Sequence, residues 1–358
     1  MPRRTRKPDP ALIVIILLLV FLGILVLASV SASFSRAKTG STLFFLNHQL
    51  LFGLLPGLIL GIIAYALPLK FLKEKSPLLL LASLAAMGAV FLPVIGGSSG
   101  GAARWLFLGP FSFQPAELLK LAFIIYLAAW LDKKSLLGPF AIILGAVGFL
   151  LIAQPDIGTL IVLAAIACIM YFSAKTPLWH ILALGGTGIA AILLLIKLAP
   201  YRLARLQVFL DPSLDPLGSG YQIKQALISI GSGGLFGRGL GLSVQKFGFL
   251  PQPMSDSIFA VFSEEAGFIG ALFLVVLFLF FALRGYAVAS RVEDNFPKLL
   301  AIGVVSWISI QAFVNIGALT GILPLTGIPL PFLSYGGSAL VCELIGMGLL
   351  LNVSKERT

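Results

Sequence analysis

Apolar residues run along this chain in blocks of about 20, the length an α-helix needs to cross a bilayer. Blocks at 11–32, 47–69, 77–95, 115–131, 137–154, 156–173, 178–198, 258–284, 296–319 and 335–353 predict about ten transmembrane helices. The narrowest division falls at Gln154-Pro155-Asp156, where the proline breaks a helix and the polar side chains are costly at membrane depth. The pattern predicts an all-α polytopic membrane protein, a single transmembrane domain over residues 1–358. One long polar interval, 201–257, separates the seventh and eighth spans.

Composition agrees with that reading: 59% of residues are hydrophobic, 11% are charged, and mean hydropathy is +1.05. A soluble domain could not hide so much apolar surface. The net charge of +11 is explained by where the cations lie. Arg3, Arg4, Arg6 and Lys7 precede the first span; Lys70, Lys73 and Lys75 follow the second, Lys133 and Lys134 the fourth, and Lys175 the sixth. Arg284, Arg291 and Lys298 link the eighth and ninth spans, and Lys355 and Arg357 close the chain. With ten spans these all fall on one side, which the positive-inside rule makes cytoplasmic. Both termini are then inside and the 201–257 interval is extracellular, so the basicity does not point to nucleic acid. Cys168 and Cys342 sit in apolar blocks without partner spacing, and His48 and His180 are the only histidines. A disulfide framework, a thiolate metal site, a His-based metal site and a Ser-His-Asp triad are all disfavoured. The first apolar block is too long for a removable signal peptide and lacks a small-residue cleavage site.

Several residues stand out chemically. Arg202, Arg205, Lys224, Arg238 and Lys246 in the long interval, with Arg36, Lys38 and Arg104, put cations on the outer side. They read either as a surface facing lipid headgroups or as a site for an anionic ligand. Asp256 opens the eighth span just after Pro251-Gln252-Pro253, as a helix cap or as a working carboxylate. Ser263, Glu264 and Glu265 lie one to two turns further on, and acids inside a span rarely face lipid, so this helix should line a polar cavity. The fourth span begins FSFQPAELLKL. Glu117 and Lys120 can pair on one face, as an internal ion pair or as substrate contacts.

The glycines of Gly231-Ser232-Gly233-Gly234 and Gly237-Arg238-Gly239-Leu240-Gly241 match neither a Walker loop nor a dinucleotide fingerprint. Backbone nests around Arg238 could still hold a diphosphate. Arg202 and Arg205 would face one side of a short helix, and YQIKQALISI reads as an amphipathic segment at the interface. GILPLTGIPLPFLSYGGS, from Gly321 to Ser338, is too rich in Pro and Gly for a straight helix. It forms either an ordinary outer loop or a re-entrant wall of the same cavity.

FQPAELLKL, QPDIGT, GSGGLFGRGLG, LPQPMSDSIFAVFSEEAGFIG and LPLTGIPLPFLSYGGS occur in this order across nearly the whole chain. Together they resemble the shape, elongation, division and sporulation (SEDS) family. LPLTGIPLPFLSYGGS and EDNFPKLLAIG look more like its elongation member, RodA, than its division member, FtsW. The resemblance implies a bacterial cytoplasmic-membrane enzyme that polymerises lipid II into glycan strands at the outer face during cell elongation. It implies a class B penicillin-binding protein and other elongation-complex membrane proteins as partners. The family's essential aspartate maps onto Asp256, although Met254-Ser255 stand where the family usually has His-Thr. Family acids also map onto Glu117 and Asp156, and cations onto Arg104, Lys120 and Arg238; with Arg202 and Arg205 these make up the expected substrate-binding set.

The chemistry agrees with such a reaction. Displacing a diphosphate from an α-linked anomeric carbon by a sugar hydroxyl inverts configuration and needs one general base. Asp256 would take the hydroxyl proton and the loop cations would stabilise the departing polyprenyl diphosphate. A divalent cation could share that task, but the sequence shows no all-protein cage for one. A lipid II flippase and a membrane scaffold are the alternative readings. A flippase needs polar groups through the full depth, whereas the ionisable residues here cluster in the outer half.

Overall fold

The computed structural model describes residues 7–92, 96–99, 102–108, 111–133, 136–177, 179–180, 182–188, 190 and 207–356. Its helices fall on the predicted blocks. They begin with α1 (Pro10–Thr39), α2 (Phe44–Ala66, with a π-helical turn at Leu50–Leu54) and α3 (Leu69–Ala89). After a small sheet come α4 (Pro115–Leu131), α5 (Leu137–Ala153) and α6 (Ile157–Ser173). The long polar interval contains α7 (Ser219–Ser232), and the chain ends with α8 (Ile258–Ser290), α9 (Asn295–Leu319) and α10 (Gly337–Val353). Helices α1, α2, α8, α9 and α10 with its following turn are long and apolar enough to cross a membrane. The seventh predicted block, 178–198, falls largely outside the described residues.

Two features depart from the sequence reading. The glycine-rich stretch before α4 holds a three-stranded antiparallel sheet, β1 (Gly96–Ser99), β2 (Ala102–Leu108) and β3 (Phe111–Phe113), in the order β1-β2-β3. The all-α expectation covers the spans but not this cap. The third helix also starts eight residues before the expected 77–95 block, so Lys70, Lys73 and Lys75 lie on α3 rather than in a loop. Pro77 sits inside that helix and cannot donate to the carbonyl four residues back. The Ser76 hydroxyl donates to that carbonyl, Lys73 O, at 2.8 Å, so the helix continues.

The core is organised around α9, which packs against α4, α6, α8 and α10. Helix α2 packs along α10. Gly53, Gly57 and Gly61 recur every four residues on α2, and a Cβ at Gly61 would stand 2.8 Å from Leu344 O. This is the small-residue spacing by which membrane helices approach closely.

The two ends of the bundle differ. At one end Asp9 caps α1, accepting from Leu12 N at 3.1 Å, and Arg284 donates to both Asp9 carboxylate oxygens at 3.0 and 2.7 Å. Lys73 pairs with Asp132, and the Lys355 ammonium donates to Tyr65 O at 2.8 Å. The starts of α4, α6, α8 and α10, the end of α9 and the 321–336 segment gather at the other end.

Candidate active site at the proline-rich wall

Residues 321–336 run without helix between α9 and α10, and Ile328, Leu330, Phe332, Leu333 and Ser334 are buried. A Cβ at Gly23, midway along α1, would stand 2.0 Å from Phe332 O. The segment therefore penetrates the bundle as a re-entrant wall, the second of its two sequence readings. Its backbone finds side-chain and main-chain partners, as such depth demands; Leu330 N donates to Ser334 Oγ at 2.8 Å and Gly336 N to Gln49 Oε1 at 3.1 Å. Glu343 accepts from Phe332 N at 2.8 Å, and the Ser334 hydroxyl donates to Ser255 O at 2.5 Å. Tyr335 N donates to Met254 O at 2.7 Å.

Asp256 lies against this wall. The Asn315 amide of α9 donates to Asp256 O at 2.8 Å and to Ile328 O at 2.7 Å, clipping the Asp256 turn to the wall. A Cβ on Gly327 would stand only 3.7 Å from Asp256 Oδ2. The Ser255 hydroxyl donates to Asp256 Oδ1 at 3.4 Å. Gln222 of α7 donates to Ser257 Oγ at 3.1 Å, so the loop helix closes over the same turn. Burial pushes the Asp256 carboxyl above the usual carboxylate range, against hydrogen bonds from its own amide, Gln222, Ser255 and Ser257 that pull it down. The residue that begins α8's cap is Ser257, not Asp256. The Asp256 backbone is thus held by neighbours while the residue stays half-buried and its carboxyl poorly solvated, a setting suited to proton transfer.

The turn that carries Asp156, held by Arg104, approaches the wall from the other side. Asp156 caps α6, accepting from Thr159 N at 3.2 Å and Thr159 Oγ1 at 2.9 Å. Arg104, on β2, donates to Gln154 O at 3.3 Å and also to Pro155 O. Gly158, one turn into α6, faces Thr326 O and Ile328, where a Cβ would clash at 2.9 and 2.8 Å. The residues around 326–328 thus stand between the Asp156 turn and Asp256.

Glu117 and Lys120 lie behind the wall. Their ion pair, 2.9 Å long, is buried on both sides. The Lys120 ammonium donates to Gln311 Oε1 at 2.6 Å, Trp307 Nε1 donates to the same oxygen at 2.8 Å, and Gln311 Nε2 donates to Pro329 O at 3.0 Å. Trp307, Gln311 and Asn315 form a ladder on one face of α9 that links the ion pair to the wall and to Asp256. Sequence reasoning did not single out Gln311 or Asn315. The available signal was two amides in an otherwise apolar span, four residues apart.

Arg238 sits elsewhere, 42% exposed. It contacts Glu264 Oε1 at 3.4 Å and donates to Ser232 O at 3.4 Å. The backbone nest expected around it is already occupied. The amides of Gly237, Arg238 and Gly239 donate to Gly233 O, Glu264 O and Glu265 O at 2.8, 3.0 and 3.0 Å. The glycines serve close packing instead. Gly237 has φ +79°, and its Cβ would stand 2.1 Å from Glu265 O; Gly267, at the kink in α8, has φ +69°. Arg202 and Arg205 lie outside the described residues. Among the described residues no group of three His, Cys, Asp or Glu side chains is placed to hold a metal.

The family described as cell cycle protein, FtsW/RodA/SpoVE, matches residues 10–358. Stage V sporulation protein E of Bacillus subtilis is 40% identical over 363 residues, covering 99% of each chain. A probable peptidoglycan glycosyltransferase FtsW of Geobacter sp. is 38% identical and covers 98% of each. Among solved structures, a chain of a peptidoglycan synthase complex that coordinates polymerization and crosslinking superimposes with a TM-score of 0.81 at 29% identity over 98% of each chain. The rod shape determining protein RodA of Thermus thermophilus gives 0.72 at 28% identity, over 98% of this chain and 97% of that one.

Proposed function

Because this chain belongs to the FtsW/RodA/SpoVE (SEDS) family of polytopic membrane proteins, we propose that it is a peptidoglycan glycosyltransferase acting on lipid II, with Asp256 as the general base. The observation that carries this reading is the half-buried Asp256 on a turn clipped by Asn315 to a re-entrant wall, with its carboxyl poorly solvated. The acceptor hydroxyl gives its proton to Asp256 as its oxygen bonds to the anomeric carbon of the donor. The bond from that carbon to the polyprenyl diphosphate breaks, the diphosphate leaves with the electron pair, and configuration inverts.

Arg104 flanks the wall and, with Arg202, Arg205 and Arg238, supplies the charge that stabilises the leaving group. With no protein cluster for a metal among the described residues, a divalent cation would be carried mainly by the diphosphate. Asp156 shapes the turn that Arg104 grips. Glu117 and Lys120 support the wall through Gln311, and any contact of theirs with substrate would require the wall to move.

The Lys- and Arg-bearing end faces the cytoplasm with both termini, which puts Asp256 and the 201–257 interval outside. A class B penicillin-binding protein is the partner this reading expects, in keeping with the synthase complex that the fold resembles. The elongation role rests on LPLTGIPLPFLSYGGS and EDNFPKLLAIG. The sequence relatives carry FtsW and SpoVE names, so complementation of elongation- and division-depleted cells decides between the roles. The enzymatic reading itself is tested with purified protein and lipid II, with and without the partner. Glycan strands are the expected product, and lipid II translocation without strand formation would replace this reading with the flippase.

A further inference from the structure

The segment 235–249 is extracellular by topology yet apolar on its open side. Leu235, Phe236, Leu240, Leu242, Phe247 and Phe249 are all exposed, Phe236 at 81%. In a water-filled loop such a patch would be a liability. The charged groups of the same stretch have protein partners, although Gln245 Oε1 is buried without one. Lys246, the only charge besides Arg238, is buried against Glu265 at 2.8 Å and donates to Gly241 O at 2.8 Å. The amides of Gly237, Arg238, Gly239, Leu242 and Phe247 all have backbone acceptors. An apolar exterior over an interior that pairs its charges and many of its amides suits hydrocarbon better than water.

Two helices place this segment at the same depth. The Lys246 ammonium also donates to Ser29 O of α1 at 3.3 Å, and at 1.5 Å per residue Ser29 lies about 15 Å before the end of α1 and about 5 Å inside the outer end of the apolar 11–32 block. Phe268 N and Ile269 N of α8 donate to Gly234 O at 2.8 Å and Leu235 O at 3.2 Å. These positions are likewise about 15 Å below the start of α8. The exposed side chains are continuous with Phe268 and Ile269, 59% and 53% exposed on α8.

We propose that residues 235–249 form a re-entrant wedge immersed in the outer leaflet, with lipid acyl chains as the occupant of its apolar face. Glu264 and Glu265 anchor the wedge. Glu264 accepts from the Ser243 hydroxyl at 2.5 Å and from Val244 N at 3.1 Å, while Glu265 holds Lys246 and accepts from the Ser29 hydroxyl at 2.5 Å. Arg238, partly exposed and paired with Glu264, extends its guanidinium toward the headgroups in the manner of a snorkelling side chain.

The full chain, reconstituted in phosphatidylethanolamine–phosphatidylglycerol vesicles, tests this with nitroxide labels at Phe236→Cys, Leu242→Cys and Phe249→Cys. Lys224→Cys on exposed α7 serves as the aqueous reference, and unlabelled wild type controls for Cys168 and Cys342. The wedge predicts collision rates with oxygen above those with a water-soluble nickel chelate at the three test sites, and the reverse at Lys224→Cys. Chelate access at the three sites equal to that at Lys224→Cys would overturn the proposal, because the face would then be in water. Protection from both reagents would overturn it too, because protein rather than lipid would cover the face. The readout does not depend on polymerisation, so it stands apart from the catalytic reading.

Discussion

Asp256 is held by its backbone and penalised through its side chain, and the two effects have separate signatures. Burial raises its carboxyl above the usual range, so folding favours the protonated form relative to the unfolded chain. The unfolded chain titrates near 3.9; stability is therefore greatest below that value and declines as pH rises through the higher folded value. Asp256→Asn should accordingly leave melting temperature at neutral pH equal or raised. The acid limb of the wild-type polymerisation profile should lie above the ordinary carboxylate range, since the base works only when deprotonated. An acid limb at or below about 4, the unperturbed carboxylate value, would place proton transfer on another group. Arg238 makes a different prediction. Its own side chain is 42% exposed, and its buried partner Glu264 keeps hydrogen bonds from Ser229, Ser243, Val244 and Gln245, so Arg238→Ala should lower the polymerisation rate with only a small loss of melting temperature. Arg238→Lys should restore only part of the rate, because an ammonium cannot make a bidentate contact with a diphosphate.

At the scale of elements, the wall depends on α9. Removing one partner of a buried ion pair costs about 3–5 kcal/mol, so Glu117→Ala and Lys120→Ala alone should each lower melting temperature sharply. A double apolar replacement, Glu117→Leu with Lys120→Met, should regain much of that loss. Asn315→Leu leaves Asp256 O and Ile328 O without its two hydrogen bonds, at about 1–3 kcal/mol for each buried group. It should cost activity beyond its effect on stability, since the Asp256 turn loses its clip to the wall. The glycine motif offers a matched pair. Gly237→Ala clashes with Glu265 O, whereas Gly231→Ala meets nothing within 4 Å. Only Gly237→Ala should impair assembly of the loop, as read by limited proteolysis of the reconstituted protein.

These elements were unequally legible beforehand. Apolar blocks and Pro155 put helix ends at 154 and 156, one residue from the observed 153 and 157, because hydropathy and a missing N–H act locally. The start of α3 was missed because Pro77 looks like a stop unless Ser76 is known to cover Lys73 O. The glycine nest looked free for phosphate because nothing local reveals that Glu264 and Glu265 carbonyls occupy its amides. The small sheet was hidden in a short stretch between two apolar blocks, because its pairing is set across strands.

For the whole molecule, the chain's order of motifs named the family, while the way those motifs meet required three dimensions. FQPAELLKL, QPDIGT and LPLTGIPLPFLSYGGS lie far apart in sequence, yet Gln311, Gly158 and Asn315 bring them onto one wall beside Asp256. Glu117 and Lys120, which alone could be read as substrate contacts, lie behind that wall as its support. The account therefore rests on one carboxylate at the end of a supported segment. Its most direct test is polymerisation of lipid II by the purified, partner-bound protein carrying Asp256→Asn, which retains the side chain's shape. The account predicts a rate lower by about 10²–10⁴-fold, with melting temperature, lipid II binding and partner binding intact. Long glycan strands made at the wild-type rate by that stable variant would contradict it.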